Sequence, residues 1–265
     1  MSPTPSLHAY LSRVIPLTTL AVRHPTEFLD RIAGRLERAV DPGLEPRPTG
    51  VRDWSAHLHQ AMGLPEGSCD CTDQFRAAWN VLVQVDPGVG RGHDGDPVLA
   101  GACFVLARHL GPTRIVETGV ARGVTTRFLL SAAPQAIVYS IDLPPMDPRW
   151  ARQSCSLVPE GMRDRWRYVR GASRRMLPRL TAAIGSLDLF VHDSSHTRRT
   201  VLFECESAWA HLRPGGAIVV DDADKSRGFL DFVERTCGGA TSHTWGLFED
   251  ELKAGLVGFV LKGET

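Results

Sequence analysis

Long apolar runs, net charge and a recognisable export signal are all missing from this sequence. No segment reaches the roughly 20 consecutive apolar residues that an α-helix needs to span a bilayer. The mildly apolar run 14–22 contains Pro16 and two threonines, and no small-residue cleavage site follows a basic start. Thirty basic and thirty acidic residues cancel, so no long-range field draws the chain to nucleic acid or to an anionic membrane. These absences predict a cytoplasmic protein whose partner is a small molecule or a protein substrate.

Cysteines in a metal-binding spacing are missing as well. The six cysteines include no C-x-x-C pair, and Cys69-Asp-Cys71 lacks a second half of the kind that zinc sites use. We therefore expect reduced thiols, several of them buried. What the chain does have is 265 residues with 43% hydrophobic content, which is enough for one large α/β domain and an N-terminal extension.

The segment from Arg114 to Arg127 is the most informative part of the chain. It reads Arg-Ile-Val-Glu-Thr-Gly-Val-Ala-Arg-Gly-Val-Thr-Thr-Arg, a short apolar strand followed by a glycine-bounded turn and a helix. Glu117 places a carboxylate at the C-terminal end of the strand. Gly119 and Gly123 allow a tight turn without side chains that project into a ligand. Open α/β folds hold nucleotide-like cofactors at such a turn.

The spacing of these glycines argues against a dinucleotide. Dinucleotide-binding turns follow G-x-G-x-x-G, so that bare backbone can approach a pyrophosphate at the helix N-terminus. Here Val120 and Ala121 stand between the glycines, and Glu117 would repel a pyrophosphate. The same carboxylate suits the cationic amino group and sulfonium of S-adenosylmethionine (SAM). On this motif alone, a plain strand-to-helix turn stays open as an alternative.

Further apolar runs follow in the order that a doubly wound sheet requires. Residues 136–141 predict a second strand that ends at Asp142, where a carboxylate can accept hydrogen bonds from both ribose hydroxyls. Capping of the next turn is the simpler alternative for this residue. Later strands are predicted at 167–170, 187–192 and 217–220, the last preceded by a helix end and turn at 212–216.

Four motifs in this order resemble the class I SAM-dependent methyltransferases, and within them a branch of small-molecule enzymes of natural-product type. The motifs are Glu-Thr-Gly-Val-Ala-Arg-Gly at 117–123, Ser-Ile-Asp-Leu-Pro-Pro at 140–145, His-Asp-Ser-Ser-His-Thr at 192–197 and Leu-Arg-Pro-Gly-Gly at 212–216. The resemblance covers about residues 97–261. It implies a Rossmann-like, doubly wound sheet of seven strands, mostly parallel, whose last strand inserts antiparallel. The apolar runs 241–247 and 256–261 suit the sixth and seventh strands.

The resemblance also implies how SAM would be held. Glu117 would lie near its amino acid end and Asp142 on its ribose. The remaining cofactor-binding residues would be Gly119, Val120, Ala121, Gly123, Ser173 and Asp193. Relatives commonly read Gly-Asp-Ser after the third strand, with the acid facing the adenine. Because Ala172 stands in that place here, adenine must be held by Ser173, backbone groups or apolar packing.

Side chains at the ends of the fourth and fifth strands are candidates for the chemistry. Methyl transfer needs an aligned acceptor and removal of its proton. His196 is the preferred general base by residue type, with Asp193 as a second candidate, although a local hydrogen bond at a helix start would also explain His196. Asp193, Asp221 and Asp222 could hold Mg²⁺, as acids after these strands do in metal-dependent O-methyltransferases of similar fold. Helix capping and loop anchoring are the metal-free alternative for the last two.

Two positive charges follow this motif where relatives often have Tyr-Glu. They are Arg198 and Arg199, and one of them could bind a carboxylate or phosphate of the substrate through two parallel hydrogen bonds. The alternative is that both face solvent on the following helix.

Residues 1–96 are predicted to form a helical extension, and residues 97–265 the SAM-binding domain. Apolar residues recur at helical spacing between 28 and 36, a proline-rich break follows at 41–48, and helices are predicted at 74–83 and 97–110. Such an extension would cover the open side of the cofactor as a lid and set the choice of substrate. Simple packing against the sheet is the alternative.

The sequence therefore predicts a SAM-dependent methyltransferase of a small molecule, with oxygen as the favoured acceptor atom and a role in secondary metabolism. One alternative is a SAM-binding protein without transfer activity, acting as a partner subunit or as the catalyst of a rearrangement. An NAD-dependent oxidoreductase is less favoured. The acceptor and the oligomeric state, monomer or homo-oligomer, are not fixed by the sequence.

Overall fold

A computed structural model describes residues 18–65, 69–91, 94–238, 242–250 and 252–264. Its helices are α1 (Pro25–Val40), α2 (Trp54–Ala61), α3 (Cys71–Val85), α4 (Pro97–Leu110), α5 (Val124–Ala132), α6 (Pro148–Ala151), α7 (Ser173–Ile184), α8 (Arg198–Trp209) and α9 (Gly228–Cys237). The strands are β1 (Arg114–Thr118), β2 (Ile137–Asp142), β3 (Trp166–Arg170), β4 (Leu187–His192), β5 (Leu212–Val220), β6 (Thr244–Asp250) and β7 (Gly255–Leu261). A short 3₁₀ helix covers Glu160–Arg165.

The seven strands form one sheet in the order β3-β2-β1-β4-β5-β7-β6. Strands β1 to β5 run parallel, whereas β7 pairs antiparallel with both β5 and β6. The predicted fold class is therefore confirmed, including the antiparallel last strand. The order reverses between β1 and β4, and ligands of open α/β sheets bind outside the carboxyl ends of the strands at such a point.

Hydrophobic cores lie on both faces of the sheet, because the parallel strands are apolar on both sides. On one face Leu99 of α4 and Leu129 of α5 are fully buried against the strands. On the other face the buried residues include Leu177 of α7, Cys205 of α8 and Phe232 of α9. Both helix layers therefore hold the strand ends, and the loops that follow them, in fixed positions.

The N-terminal helices attach to this domain in two different ways. Leu58 of α2 and Phe75 of α3 are buried in the same core as α4. Helix α1 has no buried residue and is held by polar contacts. Arg174 of α7 pairs with Glu37 of α1 at 2.8 Å, and Arg31 of α1 donates to the Pro144 carbonyl at 2.6 Å. Helix α1 therefore lies across the loops after β2 and β3. The division of the chain at residue 96 stays a prediction.

The fifth strand begins earlier than predicted. Residues 212–216 are predicted to form a turn, but the structure includes them in β5, with Leu212 paired to Leu187. The register shifts between Leu187 and Leu189, and such an irregularity accommodates Pro214, which has no N–H to donate to the ladder. Within the described residues, no helix combines the length and apolar character needed to cross a membrane.

Candidate active site

The turn between β1 and α5 allows another segment of backbone to approach it closely. Gly119 has a φ of 82° and Gly123 a φ of 88°, both in the left-handed region that glycine tolerates. A Cβ at Gly119 would overlap the carbonyl oxygen of Asp193, so the chain passes the end of β4 with no room for a side chain. Ala121 between them also has a positive φ, of 46°. The predicted glycine turn is confirmed, and the loop after β4 lies directly against it.

Glu117 carries a buried carboxylate with one free oxygen. Its Oε2 accepts hydrogen bonds from Thr126 Oγ1 at 2.6 Å and from Ser140 Oγ at 2.7 Å. Its Oε1 is buried and accepts none. Burial raises the pKa of Glu117 to about 7, with a smaller contribution from the charge of Asp142. A buried carboxylate oxygen without a partner suits a cationic ligand group.

Asp142, at the end of β2, shows the same pattern. Its Oδ2 is buried without a hydrogen-bond partner. Burial raises the pKa of Asp142 to about 6, although hydrogen bonds from the backbone of Leu143 and Val120 act in the opposite direction. Asp142 and Glu117 end neighbouring parallel strands, so their free oxygens face the same edge of the sheet.

Two further polar atoms near these acids were not predicted from the sequence. The Ser154 Oγ and the Tyr168 hydroxyl are also buried without partners. Burial raises the pKa of Tyr168 above its usual value, with a contribution from the charge of Asp142. The backbone of Cys155 donates to the Ala121 carbonyl at 2.9 Å and so holds Ser154 beside the glycine turn. Tyr168 could have been predicted to lie near the site, because β3 pairs with the strand that carries Asp142. Nothing in the local sequence indicates that Ser154 lies there.

Two of the three acids predicted after β4 and β5, Asp193 and Asp221, come together, and His196 joins them in place of Asp222. Ligand atoms of Asp193, His196 and Asp221 all lie within 4.8 Å of one another. Asp222 does not belong to this group, and its carboxylate lies 3.7 Å from Nε2 of His196. Because β4 pairs with β5, and Asp221 donates its N–H to the His192 carbonyl at 2.8 Å, the two loops start side by side.

The charges in this cluster are strongly coupled. Burial and the neighbouring Asp221 raise the pKa of Asp193 well above its usual range. Burial raises the pKa of Asp96 in the same way, again with Asp221 nearby. Burial alone would lower the pKa of Lys253, but the surrounding carboxylates hold it above its usual value. Sequence reasoning missed Asp96 and Lys253. The Lys253 ammonium thus faces the carboxyl groups of Asp221, Asp96 and Asp193.

His196 is neutral at physiological pH. Burial, reinforced by the neighbouring His192, lowers the pKa of His196 to about 4. Its Nδ1 is buried without a partner. The ring of His192 stands perpendicular to it at a centroid distance of 5.6 Å, and His192 is fixed by a 2.7 Å contact between its Nδ1 and Glu204 Oε2. Glu204 also accepts from Thr118 and Ser194, so a hydrogen-bond network centred on a fully buried carboxylate supports the loop that carries His196.

The other predicted residues lie around this cluster. Ser173 begins α7 and contributes to lowering the pKa of Glu204, against the raising effect of burial and after the larger effect of His192. Arg198 pairs with Asp231 of α9, and the side chain of Arg199 is 80% exposed. The roles assigned to Ser173, Arg198 and Arg199 stay predictions.

Replacing Glu117 with glutamine is expected to remove part of the pH dependence of stability. The folded pKa of about 7 lies above the ordinary 4.5, so Glu117 favours the folded state only while it is protonated. The contribution of Glu117 to the free energy of unfolding is complete below pH 4.5 and is lost as the pH rises through 7. The total loss between these pH values is about 3 kcal/mol. Urea unfolding of the ligand-free protein at several pH values measures this slope.

A matched control is Glu160→Gln, since the Glu160 side chain is 89% exposed. That variant should keep the slope of the original protein. An unchanged slope in Glu117→Gln would show that Glu117 is ionised throughout and that its buried environment has been misassigned.

The sheet order, the glycine turn and the acids at successive strand ends define a domain with the class I SAM-dependent methyltransferase fold. Residues 116–223 match the family model described as a methyltransferase domain. A protein of Mycobacteroides abscessus with a provisional O-methyltransferase assignment is 32% identical over 131 residues, which are 48% of this chain and 57% of that protein. The chain thus matches little more than half the length of its curated relatives.

Solved structures show the same fold. Cofactor-bound Rv0187 from MTB has a TM-score of 0.53 and 22% identity. The match covers 83% of this chain and 100% of that one. The O-methyltransferase TomG of Streptomyces achromogenes, solved with SAM and involved in tomaymycin synthesis, has a TM-score of 0.54 and 17% identity, covering 91% of this chain and 98% of that one. At these identities the likeness concerns the fold.

Proposed function

We propose that this protein transfers a methyl group from SAM to an oxygen of a small-molecule acceptor. The observation that carries the proposal is the pair of buried, unpartnered carboxylate oxygens, Glu117 Oε1 and Asp142 Oδ2, at the ends of two neighbouring strands. A folded protein seldom leaves such atoms unsatisfied, because each costs free energy unless a ligand completes it. Oxygen as the acceptor atom is supported by the O-methyltransferase descriptions of the relatives.

The residues present fit SAM. Glu117 Oε1 would accept hydrogen bonds from its amino group, and Asp142 Oδ2 from its ribose hydroxyls. The Ser154 and Tyr168 hydroxyls offer two further partners. The turn beside them has no side chain at Gly119 and leaves the backbone free to approach the ligand. Two acids at this edge disfavour a pyrophosphate, which argues against the NAD alternative.

When bound, SAM supplies an electrophilic methyl group on a sulfonium, so the protein has to align the acceptor oxygen and accept its proton. His196 is neutral and has a free ring nitrogen, and it can accept that proton. Asp193 is the second candidate, because its raised pKa makes it a stronger base than an ordinary aspartate. The buried Glu204–His192 pair fixes the loop that presents both residues.

A divalent ion at this site is the second element of the proposal. The sequence predicts Asp193, Asp221 and Asp222 as ligands, and the geometry supports Asp193 and Asp221 with His196 in place of Asp222. An imidazole in the set suits Mn²⁺ or a similar ion better than Mg²⁺, which prefers oxygen ligands. An ion here would acidify the acceptor hydroxyl. His196 and Asp193 would then be occupied as ligands, and Asp222, whose carboxylate lies 3.7 Å from His196 Nε2, would take the proton.

Removal of divalent ions is expected to lower the methyl-transfer rate by at least about tenfold. The rate is measured with excess EDTA and again after addition of Mg²⁺ or Mn²⁺ alone. Asp221→Asn should show the same loss without EDTA, whereas Asp73→Asn, a change at an 82% exposed side chain, should not. A full rate in excess EDTA would exclude the ion and leave His196 to act unaided.

The function itself is tested by label transfer. The purified protein is incubated with SAM that carries an isotopic label in its methyl group, together with phenols, catechols and hydroxylated sugars. We expect a labelled methyl ether, identified by mass spectrometry, and measurable SAM affinity by calorimetry. Affinity for SAM without transfer to any acceptor, in an extract as well as in the panel, would favour the alternative of a binding partner or rearrangement catalyst. Retention of NAD with no affinity for SAM would overturn the proposal.

The acceptor class also bears on Arg198 and Arg199. Because Arg198 is already paired with Asp231 and Arg199 is largely in solvent, an anionic substrate would have to draw one of them away from its present position. The binding of an acidic substrate by these residues, the lid role of residues 1–96 and a part in secondary metabolism belong to the proposal.

A further inference from the structure

Four metal-ligating side chains converge at a second place, in the helical part of the chain. His59 lies near the C-terminal end of α2, Cys69 and Cys71 lie at the start of α3, and His109 lies in the last turn of α4. Donor atoms of His59, Cys69 and His109 all lie within 4.8 Å of one another. These four residues, called the Cys-His cluster below, take no part in the chemistry proposed above.

The distances within the cluster approach those of a tetrahedral site. Cys69 Sγ lies 3.2 Å from His59 Nε2 and 3.1 Å from His109 Nε2, and Cys71 Sγ lies 3.7 Å from His109 Nε2. Zinc bonds of about 2.3 Å to sulfur and about 2.0–2.1 Å to nitrogen, at tetrahedral angles, place S and N roughly 3.6 Å apart. An adjustment of a few tenths of an ångström would therefore seat an ion between His59, Cys69 and His109, and a larger movement of the Cys71 side chain would complete the set.

The histidines present the form that metals bind. His59 Nδ1 lies 2.7 Å from the Ser55 carbonyl, which only accepts, so the proton sits on Nδ1 and the Nε2 lone pair faces Cys69. A hydrogen bond from the second ring nitrogen to a backbone carbonyl is the usual support of a metal-bound histidine. His109 directs its Nε2 towards the same sulfur, 3.1 Å from Cys69 Sγ.

We propose that His59, Cys69, Cys71 and His109 bind a zinc ion. Two sulfurs and two imidazole nitrogens form one of the standard donor sets of structural zinc, and four protein ligands leave no open position for a substrate. The backbone N–H of Cys71 points to Cys69 Sγ at 3.4 Å, a contact that holds this sulfur towards the centre of the cluster.

The place of the cluster assigns it a structural role. Helix α4 has 14 residues, so about 20 Å separate His109 from the N-terminal end of the helix, where Asp96 caps it beside the carboxylates of the candidate active site. The ion would join α2, α3 and α4 at the far end, where the N-terminal helices pack on the sheet domain. Since a structural zinc contributes to folding free energy, its loss should loosen this junction first.

Metal analysis of the untagged, full-length protein tests the proposal. We expect one zinc ion per chain by mass spectrometry of the metal, and release of that ion when a mercurial reagent blocks the thiols. Exchange with Co²⁺ should give the intense visible absorption of a tetrahedral thiolate site. Chelation should lower the midpoint of thermal unfolding by several degrees.

Variants locate the ion. Cys71→Ser and His109→Ala should lose the zinc, whereas Cys237→Ser, His211→Ala and Asp221→Asn should keep it. If either cluster variant fails to fold, mercurial release from the unaltered protein decides the matter. Protein that carries no zinc and binds none on titration would overturn the proposal, and the cluster would then be held by thiol–imidazole hydrogen bonds alone. Zinc retained in both cluster variants but lost in Asp221→Asn would also overturn it.

Discussion

Replacing Gly119 with alanine is expected to destabilise the protein by at least about 4 kcal/mol and to abolish SAM binding. The glycine φ of 82° is unfavourable for alanine, and the added Cβ would overlap the Asp193 carbonyl. Backbone atoms on both sides cannot give way as a flexible side chain would. Relief would require the loop after β4 to move away from the loop after β1, and this movement would displace Asp193. Urea unfolding measures the stability loss, and calorimetry measures the affinity.

Gly185 provides a control that separates backbone strain from overlap. Its φ is 81°, nearly that of Gly119, but an added Cβ would meet nothing within 4 Å. Gly185→Ala should therefore cost only the backbone strain, on the order of 1–3 kcal/mol, and leave SAM affinity unchanged. Equal losses in the two variants would mean that the loops after β1 and β4 are not in contact, which would contradict the arrangement of the site.

Replacing Asp142 with alanine is expected to weaken SAM binding at least tenfold, and up to about a hundredfold. The change removes two charge-assisted hydrogen bonds to the ribose, each worth on the order of 1.5–3 kcal/mol before compensation. The pKa of about 6 adds a second signature, because Asp142 becomes protonated in the free protein as the pH falls below it. Affinity of the original protein should therefore decline below that pH, and this part of the decline should vanish in Asp142→Ala.

Two further variants make the assignment specific. Asp142→Asn keeps the size of the side chain but loses the charge and one acceptor, and it should give an intermediate affinity. Asp164→Ala removes an exposed acid from the 3₁₀ helix before β3 and should leave SAM affinity unchanged. If calorimetry returns the original SAM affinity for Asp142→Ala, Asp142 serves only to fix its loop and the ribose is bound elsewhere.

The strands that carry the site were predictable because their apolar residues strongly favour buried β-structure. The fourth strand was predicted at 187–192 and is observed there, since a short apolar run bounded by turn residues in an α/β pattern forms a buried parallel strand. Residues 212–216 were predicted wrongly, because Pro214 and two glycines indicate a turn locally. Pairing with β4 draws the segment into the sheet through an irregularity that no local pattern encodes.

The acids of the site were predictable for a related reason. Parallel strands end at one edge of the sheet, so a carboxylate directly after each strand has to join the others. Predicting which of two successive acids turns inward is harder. Asp222 adopts a φ of 49°, and it is Asp221 that groups with Asp193 and His196. Lys253 joins the charges of this cluster from the loop before β7, and a sequence pattern gives no distance between such separated segments.

The Cys-His cluster was also missed by sequence analysis, because its ligands lie far apart in the chain. Cys69 and Cys71 were dismissed as zinc ligands because no second cysteine pair follows them. The remaining donors are histidines 10 residues before Cys69 and 40 residues after it, on helices that come together only through packing in the core. A spacing rule detects ligands on one local motif, and it cannot detect ligands that three separate helices bring to one point.

The sequence by itself determined the fold class of this protein. Its apolar runs, its glycine turn and the acids after its strands follow from local chemistry and from the rule that parallel strands end together. The tertiary structure alone decided which side chains meet: Asp193 with His196 and Asp221, Lys253 among the carboxylates, and two cysteines with two distant histidines. Such meetings depend on loop conformations and helix packing summed over the whole core, and a difference of a few ångströms there decides whether a group of side chains can hold an ion.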